Sequence, residues 1–155
     1  MSNLNLRRAQ KAKNDEFYTL YEDIEKELEY YTTSLAGKVI YCPCDNPAYS
    51  NFYKFFKDNF HKFQLKELIA TFYSPDFNPL DSFTDPLSKA PTKTIFDGTK
   101  ERTYPLHSNG DFQSEDCQEI LKQADIIVTN PPFSLFNEFM ELLIAHNKKF
   151  LILRQ

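Results

Sequence analysis

Hydrophobic positions along this chain follow two periods, and the alternation between them carries the first structural reading. Residues 125–129, Asp-Ile-Ile-Val-Thr, are a short β-branched run of the kind that makes a buried strand, and a Pro-Pro pair then ends it. Proline has no amide hydrogen and cannot continue a ladder, so Asn130 falls at the strand's carboxyl end. Residues 38–42 read as an earlier strand ending in an acidic turn, residues 65–73 as a second strand, and residues 148–153 as the last. Leu20, Ile24 and Leu28 recur every four positions among acids, which predicts an amphipathic helix. Phe52, Phe55, Phe56, Phe60 and Phe63 recur three and four apart after Ser50, a ring stripe that belongs in the core. Residues 114–121, capped by Ser114 with Cys117 in the first turn, and residues 137–145 predict two further helices.

Strands alternating with helices predict an α/β fold, a Rossmann-like sheet with flanking helices. Residues 1–34 are an N-terminal arm and helix, and residues 38–74 hold the first two strands with a helix between them. Residues 75–107 are an insert poor in aliphatics, in which Asp97-Gly98 lies between β-prone runs and signals a hairpin. That hairpin is expected at the sheet's edge or over the crevice at the strand ends. Residues 108–155 carry the Asn130 strand, a helix and the last strand, about the fifth, where a single partial domain breaks off.

Composition narrows the function classes. The 155 residues carry a net charge of −4, so nucleic acid cannot be met by the whole surface, and any such contact is local or lies in sequence absent here. The basic cluster Arg7, Arg8, Lys11 and Lys13 is either a phosphate contact or a solvated terminus. No apolar run approaches the ~20 residues of a membrane span and no signal-peptide segment is present, so a cytoplasmic location is expected. Cys42 and Cys44 share a strand face but have no second pair to complete a zinc site, and no metal is expected.

The chemistry concentrates where the 125–129 strand stops. In an open α/β sheet ligands bind outside the carboxyl ends of the strands. There Asn130 offers a side-chain oxygen, Pro131 a carbonyl held outward by the stiff Pro131-Pro132 pair, and Phe133 a flat ring. Two acceptors beside a stacking surface suit a planar group with an exocyclic amine, such as adenine.

Asn130-Pro131-Pro132-Phe133 after a hydrophobic strand resembles the catalytic motif of amino-group DNA methyltransferases that use S-adenosylmethionine (SAM). Most methyltransferases place a Gly-rich loop after the first strand, whereas this chain has no glycine between Gly37 and Gly98. The Cys-Pro-Cys-Asp turn followed by Ser50-Asn51-Phe52 is instead similar to the variant first motif of the EcoRI-type adenine-specific DNA methyltransferases. The resemblance continues through Gly110-Asp111-Phe112, Ser114, Cys117, Asp125 and on to Phe136, and is weaker at Phe17-Tyr18-Thr19. It spans nearly the whole chain but only the N-terminal part of the family's domain, so the chain reads as a truncated or minimal form.

The resemblance implies SAM as cofactor and double-stranded DNA as partner, the latter through regions mostly absent here. Phe17, Tyr18 and Thr19 would contact the cofactor from the arm, and Asp45, Asn46 and Ser50 would do so by side chains in place of glycine backbone. Tyr73 would pack on the adenosine, Asp111 would accept from the adenine amine, and Phe112 would stack beside it. The implied reaction is transfer to the N6 amine of a flipped-out adenine, of restriction-modification or phage type. Asn130 and Pro131 would accept the amine's protons and Phe133 would stack on the base. A catalytically inactive binding module and an RNA or protein amino-group methyltransferase remain as alternatives. An unpaired strand edge left by the missing half would favour self-association.

Overall fold

A computed structural model describes residues 20–74, 91–129, 131 and 133–152. Helix α1 (Tyr21–Leu28) passes into a 3-10 segment (Glu29–Leu35), then strand β1 (Val39–Cys42), helix α2 (Asn51–Asp58) and strand β2 (Glu67–Thr71). Strands β3 (Thr92–Phe96) and β4 (Glu101–Pro105) precede helix α3 (Glu115–Gln123) and strand β5 (Ile126–Thr129). A 3-10 turn (Phe133–Leu135), helix α4 (Phe136–Ala145) and strand β6 (Lys149–Ile152) complete the order. No helix among the described residues is long and apolar enough to cross a membrane.

The strands form one mixed sheet in the order β4-β3-β2-β1-β5-β6. β1 is parallel to β2 and to β5, and β5 is parallel to β6, whereas β3 and β4 are antiparallel additions beside β2. All four residues of β1 and of β5 are buried, because both faces of a parallel sheet are covered. Ile40, Cys42, Ile126 and Val128 pack on one face with Ile24 and Leu28 of α1 and Phe52, Phe55 and Phe56 of α2. Val39, Tyr41 and Ile127 pack on the other with Cys117, Ile120 and Leu121 of α3 and Phe139 and Leu143 of α4. This is the expected α/β architecture, a Rossmann-like sheet with flanking helices.

Successive strands leave β1 in opposite directions. β2 lies on one side of it, while β5 and β6 lie on the other. The strand order thus reverses between β1 and β5, and in open α/β sheets the ligand crevice lies outside the carboxyl ends of the strands at such a switch.

Several local expectations change in detail. Leu20 is 57% exposed and sits at the N-cap of α1, so the buried stripe of that helix begins at Ile24. β2 ends at Thr71, leaving Phe72 and Tyr73 in the exit loop. The hairpin signalled by Asp97-Gly98 is the edge of the main sheet and not a cover over the crevice. Both its strands join that sheet, which is why six strands stand where about five were expected. Ser114 occupies the N-cap of α3, but its hydroxyl donates to the Asp111 carbonyl and to Asp116 instead of accepting from the helix.

Candidate functional site at the carboxyl ends of β1, β2 and β5

The turn after β1 is built around one carboxylate. Asp45 is 7% exposed, and its Oδ1 accepts a 2.7 Å hydrogen bond from the Ser50 hydroxyl. Its Oδ2 accepts from the Thr129 hydroxyl at 3.3 Å, across 84 residues of sequence. The Asp45 amide donates to the Thr71 carbonyl at the end of β2. Burial pushes the carboxyl up to about 6, against the opposing pull of the Ser50 and Thr129 hydroxyls. Ser50 is also the N-cap of α2 and accepts from the Tyr53 amide at 3.2 Å. Asn46 folds the intervening turn, its Oδ1 accepting from the Ala48 amide and its carbonyl from the Ser50 amide.

Under Asp45, the Thr71 hydroxyl pairs with the Tyr41 hydroxyl at 2.7 Å and donates to the Pro43 carbonyl at 3.2 Å. Among the described residues no buried side-chain polar atom lacks a partner, and these bonds tie the three strand ends together as one floor.

A second wall comes from residues 108–112, laid against the exit of β2. The Ser74 amide donates to the Asn109 carbonyl at 2.8 Å. Gly110 sits at φ +85, and a Cβ there would lie 2.0 Å from the Phe72 carbonyl oxygen. Only glycine permits this approach. Asp116 gathers the base of the loop, accepting from the His107 and Ser108 amides and from the Ser108 and Ser114 hydroxyls. Partial burial pushes its carboxyl up, but these donors outweigh that and hold it below the ordinary range.

The expected site residues divide by what this geometry does with them. Tyr73 is half exposed beside the loop, and Asp111 is partly exposed with its Oδ1 accepting from the Gln113 amide. Phe112 turns inward, 7% exposed, with its ring edge-on to Phe139 at 5.0 Å. Asp45 and Ser50 face each other in the floor, while Asn46 lies at its rim. Pro131 is buried just after β5, and Phe133 opens the 3-10 turn that leads into α4. Asn130, Pro132, Phe17, Tyr18 and Thr19 lie outside the described residues. Thr129, Thr71, Tyr41 and Asp116 are members of the network that the sequence reading missed. Thr129 had one local sign, a hydroxyl ending an otherwise aliphatic run.

Among the described residues no group of three His, Cys, Asp or Glu side chains could hold a metal ion. A groove of about 490 Å³ follows the outer flank of α2, lined by Tyr49, Tyr53, Lys57 and Glu101 among others. Ser50, a member of the strand-end network, is among its lining residues, whereas Tyr73 and Asp111 are not.

Comparison with known proteins adds an independent finding. Residues 5–155 match the family described as adenine-specific methyltransferase EcoRI. The chain is 47% identical over 146 residues to the type II methyltransferase M.MgeORF184P of Mycoplasma genitalium, a match covering 94% of this chain and 42% of the relative. It is 46% identical to M.MpnI of Mycoplasma pneumoniae over the same shares of the two chains. It is 42% identical to M.EcoRI of Escherichia coli, over 96% of this chain and 47% of that one. The chain thus spans less than half the length of the curated relatives it matches. No solved structure matches it.

Proposed function

Because the chain belongs to the EcoRI-type family of adenine-specific methyltransferases, we propose that it carries the cofactor pocket and amine-accepting motif of a DNA adenine N6-methyltransferase. One observation carries the reading: β5 ends at Thr129 beside β1 at the switch point of the sheet, so the sequence Asn130-Pro131-Pro132-Phe133 leaves from the mouth of the crevice.

The residues around that crevice suit SAM. Asp111 supplies an acceptor for the adenine amine, Tyr73 a half-exposed ring for the adenosine, and Asn46 a polar side chain at the rim. Phe112 anchors the Asp111 loop from the core side through Phe139. Phe17, Tyr18 and Thr19 are assigned to the cofactor by family resemblance alone. Asp45 and Ser50 shape the floor. The cofactor supplies an electrophilic methyl group.

The target adenine must leave the duplex, since its amine is otherwise engaged in pairing and stacking. The Asn130 side-chain oxygen and the Pro131 carbonyl would accept hydrogen bonds from the two amine hydrogens and stabilise the positive charge that develops on nitrogen, which releases one proton to solvent after transfer. Phe133 stacks on the base, and Pro132 stiffens the turn that holds the two acceptors apart. Catalysis on this account is positioning and electrostatics, with no covalent enzyme intermediate.

The reading is tested by calorimetric titration of the 155-residue chain with SAM and S-adenosylhomocysteine, followed by methyl transfer to adenine-containing DNA. Saturable binding is expected, with Asn130→Ala abolishing transfer while leaving cofactor affinity within about threefold. A folded chain that binds neither compound would overturn the reading. A non-catalytic module is the second reading, favoured by the net charge of −4, which gives DNA no broad basic surface. It predicts no transfer.

A further inference from the structure

We infer that Asp45 is a positioning residue that latches the end of β5 to the start of α2, and so fixes the direction in which the chain leaves toward Asn130. Both carboxylate oxygens point into the fold: Oδ1 to the Ser50 hydroxyl at 2.7 Å and Oδ2 to the Thr129 hydroxyl at 3.3 Å. Thr129 is fully buried and is the last residue of β5, one peptide bond before the proposed catalytic Asn130. Its hydroxyl has no exposed face to offer a ligand, so the bond to Asp45 orients the strand's exit and does not line a pocket.

The latch spans three elements. The Asp45 amide is held by the Thr71 carbonyl of β2, its Oδ1 by the N-cap of α2 and its Oδ2 by β5. A turn that elsewhere would use glycine to bring backbone near a ligand here uses a carboxylate to bring strand ends near one another. The role of Asp45 is therefore distinct from direct contact with cofactor. Its catalytic consequence rests on the function proposed above, whereas the latch itself does not.

Among the described residues, hydroxyls from two elements act on the carboxylate. α2 presents the Ser50 hydroxyl and β5 the Thr129 hydroxyl, while β2 contributes a carbonyl to the Asp45 backbone only. From β1 the Cys42 thiol feels the Asp45 charge, and burial, its larger cause, keeps that thiol neutral well above the ordinary range. Protonation of Asp45 thus changes the strength of the two hydroxyl bonds.

The test reads the latch without requiring activity. In the isotopically labelled 155-residue chain, the backbone amides of Thr129 and Asn130 are expected to follow a titration with a midpoint near 6, lost in Asp45→Asn. Thr129→Val should cut that response at Asn130 by about half or more while the Tyr53 amide, bonded to Ser50, still titrates. Thr129→Ser should restore it, which separates lost coupling from a general packing defect. An Asn130 amide that ignores Asp45, or that follows it equally in Thr129→Val, would overturn the inference. Where the chain transfers methyl groups, Thr129→Val should lower kcat about tenfold with S-adenosylhomocysteine affinity within about threefold. The reverse split would make the Asp45–Thr129 pair part of the cofactor shell and overturn the positioning role. If the wild-type chain binds no cofactor, the proposed function fails and the amide titration still decides the latch.

Discussion

Gly110→Ala measures how tightly the Asp111 loop is pressed onto the sheet. At φ +85 an alanine would carry the strain of the left-handed region, roughly 1–2 kcal/mol. Its Cβ would also stand 2.0 Å from the Phe72 carbonyl oxygen and 3.0 Å from both the Phe72 carbonyl carbon and the Pro91 Cβ. The first of these neighbours is backbone, with no rotamer to relieve the overlap, so the loop must retreat from the exit of β2. Overpacking of this kind costs about 1–3 kcal/mol. Retreat also breaks the 2.8 Å bond from the Ser74 amide to the Asn109 carbonyl, worth about 1 kcal/mol. The expected loss is about 3–6 kcal/mol, a large share of the stability of a small domain.

Urea unfolding followed by circular dichroism gives the number, the midpoint falling with the slope unchanged. Gly37→Ala is the control, because Gly37 has φ +72 but nothing within 4 Å of where an alanine Cβ would stand, so only the backbone strain applies. The two variants should differ by about 2 kcal/mol or more, Gly110→Ala being the worse. Equal losses would refute the steric argument and mean that the 108–112 loop has room to move.

Two further perturbations probe the strand ends. Burial raises the Asp45 carboxyl from 3.8 to about 6, so the folded state holds this proton more tightly than the unfolded chain. The resulting stabilisation is fully present below pH 3.8 and is lost as pH rises through about 6, amounting to roughly 3 kcal/mol. Asp45→Asn should remove that slope between pH 4 and 7 in urea titrations, and an unchanged slope would assign it elsewhere. At the opposite end of the sheet, Asp125 accepts from the Val39 amide at 2.8 Å while its own amide donates to the Val39 carbonyl, pinning β5 beside β1. Asp125→Ala should cost about 1–2 kcal/mol by the same assay, and a loss below about 0.5 kcal/mol would show that water replaces the carboxylate.

Much of the architecture is local in origin and therefore legible in the chain. The run Ile126-Ile127-Val128 is apolar at consecutive positions because both faces of β5 are covered, and the following prolines end it. The phenylalanines from 52 to 63 repeat at helical spacing and all five are buried, although α2 ends at Asp58 and Phe60 and Phe63 pack from the turn beyond it. Asp97-Gly98 reverses the chain because Gly98, at φ +97, takes a conformation that other residues rarely adopt. The Asn130 to Phe133 motif, its place after a strand and the kinship with EcoRI-type methyltransferases were likewise readable from residue order.

Non-local packing settled the rest. Nothing in residues 92–105 says which strand the hairpin will pair with, and only the open edge of β2 made it part of the main sheet. Leu20 fits the spacing of its helix yet is exposed, at the N-cap just before the helix begins at Tyr21. Phe112 looks free to stack on a ligand until α4 brings Phe139 against its ring. The Asp45–Thr129 bond joins positions 84 apart, and its existence depends on β5 inserting beside β1 in one register. Periodicity and turn chemistry act over a few residues, which is why the elements and the motif can be read along the chain. Which polar side chains share one buried site follows from strand order, and strand order is a property of the assembled sheet.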